Sequence, residues 1–88
     1  MTVLVLEDEA AAALALTRLL RECRPDAQVL AVLDSVSTAE TWFQAATQVP
    51  DLIFMDIHLA DGSSFELFKR VAISSPVIFI TAYDQHAL

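Results

Sequence analysis

An α/β fold built on an open, parallel sheet is the fold class this sequence predicts, and three observations predict it. Four short, near-continuously apolar runs, Thr2 to Leu6, Ala27 to Leu33, Leu52 to Met55 and Val77 to Ile80, have the character of strands buried on both faces. The stretches between them carry apolar residues at helical spacing, so the order reads β-α-β-α-β-α-β with helical crossovers. The three prolines, Pro25, Pro50 and Pro76, fall at nearly even intervals, each just ahead of a run.

The first run is aliphatic and β-branched and ends in Glu7-Asp8-Glu9. Ala10 to Cys23 follows, with Ala12, Leu16, Leu19, Leu20 and Cys23 close to one face, which predicts an amphipathic helix with Cys23 in the core. Arg18, Arg21 and Arg24 lie along that helix and read as a solvated face, with charge favourably placed near the helix C-terminus. The second run ends in Asp34-Ser35, for which the sequence offers no obvious partner. Ser37-Thr38-Ala39-Glu40 has the capping-box pattern and predicts the start of a second helix, with Trp42, Phe43 and Ala46 packing on the sheet. The third run leads directly into Asp56, and Asp61-Gly62 marks the turn beyond it. Ser63 or Ser64 caps a third helix carrying Phe65, Phe68 and Val71. The fourth run ends in Thr81, and Asp84 to Leu88 read as the first turn of a fourth helix. Residues 1–88 are therefore expected to form one domain, cut short at that helix.

Composition narrows the function. A chain of 88 residues with 56% hydrophobic and 19% charged residues has material for one packed core, which argues against disorder. Twelve acids against five bases give a net charge of −7, so a nucleic-acid surface on this piece is not expected. The single cysteine excludes an internal disulfide and fits a reducing compartment. No apolar stretch is long enough to cross a bilayer, and a soluble cytoplasmic domain is the expectation. Phosphate-cradling loops need several glycines, and Gly62 stands alone, so phosphate chemistry must rest on metal and side chains. His58 and His86 have no second ligand at metal spacing, which argues against zinc.

In open α/β sheets, function collects at the carboxyl ends of strands, beside the switch point in strand order. If the first and third strands are neighbours, Glu7, Asp8 and Asp56 meet in one crevice. Adjacent carboxylates raise one another's pKa, and a hard dication such as Mg²⁺ relieves the cost. A carboxylate beside that metal can attack phosphorus to form an aspartyl phosphate, with Thr81 offering a hydroxyl to a phosphoryl oxygen. Each residue also has a plainer reading. Glu7 to Glu9 complement the dipole of the first helix, Asp56 ends a strand, and Thr81 to Asp84 fit a capping box.

Val-Leu-Val-Leu-Glu-Asp-Glu, Asp-Leu-Ile-Phe-Met-Asp-Ile-His-Leu and Pro-Val-Ile-Phe-Ile-Thr-Ala-Tyr, in that order, resemble the receiver domain of two-component response regulators. The likeness covers all 88 residues. Leu59 to Phe68 and Phe79 to Leu88 look most like receivers that precede LytTR-type DNA-binding domains. The resemblance implies a flavodoxin-like, doubly wound parallel sheet of order 2-1-3-4, with the family's fifth strand missing from this chain. It implies that Asp56 is the phosphoacceptor, served by a sensor histidine kinase. Asp8 would be a direct Mg²⁺ ligand, Glu7 an acid that binds the metal through water, and His58 a ligand through its backbone carbonyl. Thr81 would contact the phosphoryl group and pass the signal on. DNA would be met only through an output domain that is not in this chain.

Two departures from the family stand out. Ala60 occupies a position where most receivers have proline, so the loop after Asp56 is expected to be less restricted. The family's phosphoryl-contacting lysine lies after the fifth strand, beyond Leu88, so weak or absent phosphotransfer is expected of these residues alone. The fourth strand is expected to be an edge with Val77, Ile78, Phe79 and Ile80 partly uncovered, favouring a homo-oligomer through that edge or through swapped elements. Two rival readings are a pseudo-receiver acting only in interaction or dimerisation, and a haloacid-dehalogenase-like phosphatase. The second places its nucleophile after the first strand, where this chain has Glu7-Asp8-Glu9.

Overall fold

The structure, a computed structural model, describes residues 1–80. Strands β1 (Thr2–Leu6), β2 (Gln28–Leu33), β3 (Leu52–Asp56) and β6 (Val77–Ile80) form one parallel sheet in the order β2-β1-β3-β6. This is the predicted order, with the fourth run numbered β6. The intervening labels belong to a small antiparallel hairpin, β4 (His58–Leu59) and β5 (Gly62–Ser63), that the sequence reading treated as a turn. Gly62 sits there at φ +143°, a conformation that a side chain disfavours. Helix α1 (Ala10–Cys23) and helix α2 (Val36–Ala45) make the first two crossovers. A 3₁₀ turn (Ser64–Glu66) and the short helix α3 (Leu67–Arg70) lead into the third.

Position in the sheet sorts the strands by burial. Val3, Leu4, Val5 and Leu6 of β1 are fully buried, because β1 has a strand on each side and helices on both faces. The register aligns Leu4 with Ile53 and Leu6 with Met55, and it aligns Ile53 with Val77. Those side chains share the face covered by Val36 and Ala39 of α2 and Leu67 of α3, and this layer is the main core. Trp42 and Phe43 pack against the same layer, edge to face at 5.2 Å, as their spacing predicted. The two edge strands differ from the expectation of burial on both faces. Val32 of β2 and Ile78 and Phe79 of β6 are all exposed, and β6 is the partly uncovered edge that was expected.

Three local readings need correction. Helix α1 has the predicted bounds and turns Leu16 and Leu20 toward the protein as expected, but it is Ala13 and Thr17 that join them, and Ala12, Leu19 and Cys23 are exposed. Cys23 is exposed and free, not in the core. Helix α2 starts two residues earlier than predicted. Ser35, not Ser37, is the N-cap, accepting from the Thr38 N–H while the Thr38 hydroxyl accepts from the Ser35 N–H. In the third crossover Ser63 is the cap, and Leu67, not Phe65 or Phe68, enters the core. The two phenylalanines lie outside, with ring centroids 5.4 and 6.4 Å from that of Phe79 on β6.

One buried hydroxyl carries a prediction. Ser64 is fully buried, and its Oγ has no hydrogen-bond partner among the described residues. Removing an unsatisfied buried polar group is favourable, so Ser64→Ala is expected to stabilise the domain by about 1 kcal/mol. Urea unfolding measures this, and a loss of stability would mean that the hydroxyl does have a partner.

Candidate functional site

The site forms where the sheet order turns back on itself. From β1 the chain crosses to β2 on one side, then returns past β1 to β3 on the other, leaving a crevice above the carboxyl ends of β1 and β3. Glu7 follows β1, and its N–H donates to the Leu33 carbonyl at 2.9 Å, which extends the β1–β2 ladder by one residue and fixes its backbone. Asp56 is the last residue of β3, aligned with Ile80 of β6. Asp8 starts the turn into α1 and is exposed, whereas Glu7 and Asp56 are 5% and 4% exposed.

The structure brings these three carboxylates together, with one oxygen from each lying within 4.8 Å of the others. That spread is close to the roughly 4.2 Å between opposite ligands of a Mg²⁺ octahedron, twice the metal–oxygen distance. Burial pushes the Glu7 carboxyl from 4.5 to about 7, against the pull of the Glu9 N–H, and Asp56 and Asp8 add to the rise. No protein cation relieves this charge among the described residues. Their ion pairs, Arg24–Asp26, Lys69–Glu66 and Arg70–Glu40, all lie elsewhere. An oxygen-only donor set of like charges, two of them buried, fits a small hard dication.

The plainer readings hold in part. Glu7 Oε1 accepts from the Glu9 N–H at 3.1 Å, at the N-cap of α1, so this acid does serve the helix start. Asp56 Oδ1 accepts from the His58 N–H at 3.2 Å, as a residue opening a turn does. The His58 side chain is exposed. Thr81 lies outside the described residues, as does the expected fourth helix from Asp84 to Leu88.

Of Asp34 and Ser35, left without a partner by the sequence, Asp34 meets the hairpin and Ser35 caps α2. The Ala60 N–H donates to the Asp34 carbonyl at 3.1 Å, and the Asp61 carboxylate accepts from the N–H groups of Val36 at 2.6 Å and Ser37 at 3.0 Å. The loop after Asp56 is therefore held, contrary to what Ala60 led us to expect, and by an N–H that proline lacks. Asp61 is the residue that sequence reasoning passed over as a turn former. Its partners are 25 and 24 residues away, and no local pattern points to them.

With this geometry in hand, comparison with known proteins identifies the family. The family model for the response regulator receiver domain matches residues 3–88. The chain belongs to the receiver-domain family. This receiver domain is 40% identical over 91 residues to the sensory transduction protein LytT of Enterococcus faecalis, covering all of this chain and 36% of that protein. It is 36% identical over 90 residues to LytT of Bacillus cereus, covering 98% of this chain and 35% of that protein. The receiver thus spans about a third of the length of the relatives it matches. Among solved structures, it superposes with a TM-score of 0.77 and 24% identity on the N-terminal domain of a response regulator/sensory box/GGDEF protein from Carboxydothermus hydrogenoformans, covering 100% of this chain and 70% of that one. That likeness shows the flavodoxin-like fold. The likeness to LytT proteins agrees with a LytTR-type regulator, a signalling protein.

Proposed function

We propose that this receiver takes a phosphoryl group onto Asp56 from the phosphohistidine of a sensor histidine kinase, in the cytoplasm, and so switches an output domain elsewhere in the full protein. The observation that carries the reading is the convergence of Glu7, Asp8 and Asp56 at the switch point with no protein cation among the described residues. One carboxylate oxygen of Asp56 forms the new bond to phosphorus as the phosphorus–nitrogen bond to the kinase histidine breaks. The His58 N–H on Asp56 Oδ1 orients the carboxylate for that attack. Mg²⁺, when bound, supplies charge neutralisation at the transferring group. Asp8 and Asp56 would hold it directly, Glu7 through water and His58 through its backbone carbonyl. Thr81 would contact the phosphoryl group. Any DNA contact belongs to the output domain. The uncovered β6 edge supports association of two copies through it or by exchange of elements.

Intact-mass spectrometry after incubation with acetyl phosphate and Mg²⁺ tests the reading. We expect one phosphoryl adduct, lost in Asp56→Asn and without the metal. We expect it weak or absent on the 88 residues and strong on a longer chain carrying the lysine expected beyond Leu88. An adduct that survives Asp56→Asn would refute the assignment of the phosphoacceptor. A longer chain that binds Mg²⁺ yet takes no label would point to a module that acts only by interaction.

A further inference from the structure

We infer that Asp61 is a positioning residue for the metal and phosphoacceptor loop, acting through the β4–β5 hairpin; the inference rests on the function proposed above. Two strands of two residues each cannot hold a hairpin in place by themselves. Yet this hairpin begins two residues after Asp56, at His58, whose N–H is bonded to the Asp56 carboxylate. What fixes it must come from outside. Leu59 anchors it in the core, and the Ala60 N–H ties it to Asp34. The strongest tie is Asp61, whose two carboxylate oxygens take the N–H groups of Val36 and Ser37.

Those two N–H groups belong to the first turn of α2, where no intrahelical acceptor exists. Ser35 Oγ takes the next one, from Thr38. The cap of α2 is therefore shared between two residues with different attachments. Ser35 belongs to the β2–α2 corner itself, and Asp61 belongs to the hairpin. Loss of either uncaps the helix, but only loss of Asp61 also frees the loop that follows Asp56. The α2 hydrogen bonds hold the Asp61 carboxyl below its usual range, led by the Val36 N–H, so the tie stays charged at neutral pH.

This difference defines the experiment. Asp61→Ala, Asp61→Asn and Ser35→Ala are compared with wild type by amide hydrogen exchange without metal and by Mg²⁺ titration calorimetry. In Asp61→Ala we expect the His58 and Ser64 amides, bonded to Asp56 Oδ1 and the Ile57 carbonyl, to exchange about tenfold faster. Mg²⁺ affinity should fall about tenfold, as for other residues that orient ligands from behind. Asp61→Asn, which keeps one acceptor oxygen for the two N–H groups, should recover only part of both. Ser35→Ala should loosen α2 yet leave the hairpin amides and the Mg²⁺ affinity as they are. Equal effects of Ser35→Ala and Asp61→Ala would reduce Asp61 to a helix cap and overturn the inference, as would hairpin amides unmoved by Asp61→Ala. Faster hairpin exchange in a protein whose wild type binds no Mg²⁺ would leave Asp61 as the hairpin's tie and sink the metal reading instead.

Discussion

Raising the pH from about 5 to about 8 is expected to cost the metal-free domain stability through Glu7, and Mg²⁺ is expected to restore it. The Glu7 carboxyl titrates near its ordinary 4.5 when unfolded and near 7 when folded, chiefly because burial disfavours its charge. Between those values the native state binds more protons than the unfolded chain, so stability falls as pH rises. The stabilisation is complete below the unfolded value and is lost through about pH 7, with a full size of at most about 3 kcal/mol. Asp26, Asp51 and Asp61 are shifted down, so their contributions fade only in acid, below this window. A metal needs the ionised carboxylate, so Mg²⁺ should stabilise the fold more at about pH 8 than at about pH 5. Urea unfolding across this range, with and without Mg²⁺, measures both effects. Glu7→Gln cannot ionise and should flatten the metal-free slope. A slope that persists in Glu7→Gln would assign the pH dependence to another group.

How much of this was legible in the sequence depends on how far each cause reaches along the chain. Strand β1 was legible because its environment is uniform: a residue buried on either face must be apolar, and Val3 to Leu6 all are. The carboxylate cluster was legible for a related reason. Strand ends are marked by the switch from apolar to acidic residues, and topology alone then brings two such ends together. The faces of α1 and α3 were not. Ala10 to Cys23 is apolar at more positions than one face can bury, so spacing alone does not select Ala13 over Ala12 and Leu19. Near Ser64, the phenylalanines were the larger apolar residues, yet Leu67 sits on the side that meets Val36 and Met55.

The cap of α2 shows a different limit. Ser37 and Glu40 fit the local rule, and so do Ser35 and Thr38. What favours the earlier start is Asp61, which supplies acceptors for Val36 and Ser37 from another part of the chain. A local pattern competes here with a tertiary contact that no window of sequence contains. The same contact answers the missing proline at Ala60: restraint that a ring would supply locally is supplied by hydrogen bonds across the fold.

Ile53→Ala is expected to bring the domain to the edge of unfolding, whereas Ile78→Ala is expected to cost below about 1 kcal/mol. Both residues are isoleucines in neighbouring parallel strands, so intrinsic propensity cancels and position decides. Ile53 is fully buried between Leu4 of β1 and Val77 of β6, in the layer shared with α2 and α3. Truncation there removes buried methyl groups and leaves a cavity that flanking strands cannot close, a loss of about 3–4 kcal/mol. A domain of this size is held by roughly 4–13 kcal/mol in total, so that loss is most of the lower figure. Ile78 is 47% exposed, so truncating it removes little buried surface from a single copy. Urea unfolding of both variants at several protein concentrations separates the cases. If Ile78→Ala cost as much as Ile53→Ala, and did so only at high concentration, its face would be covered by a second copy, as association through the β6 edge requires. Equal costs at every concentration would mean that the same chain covers Ile78, and would remove that edge as a site of association.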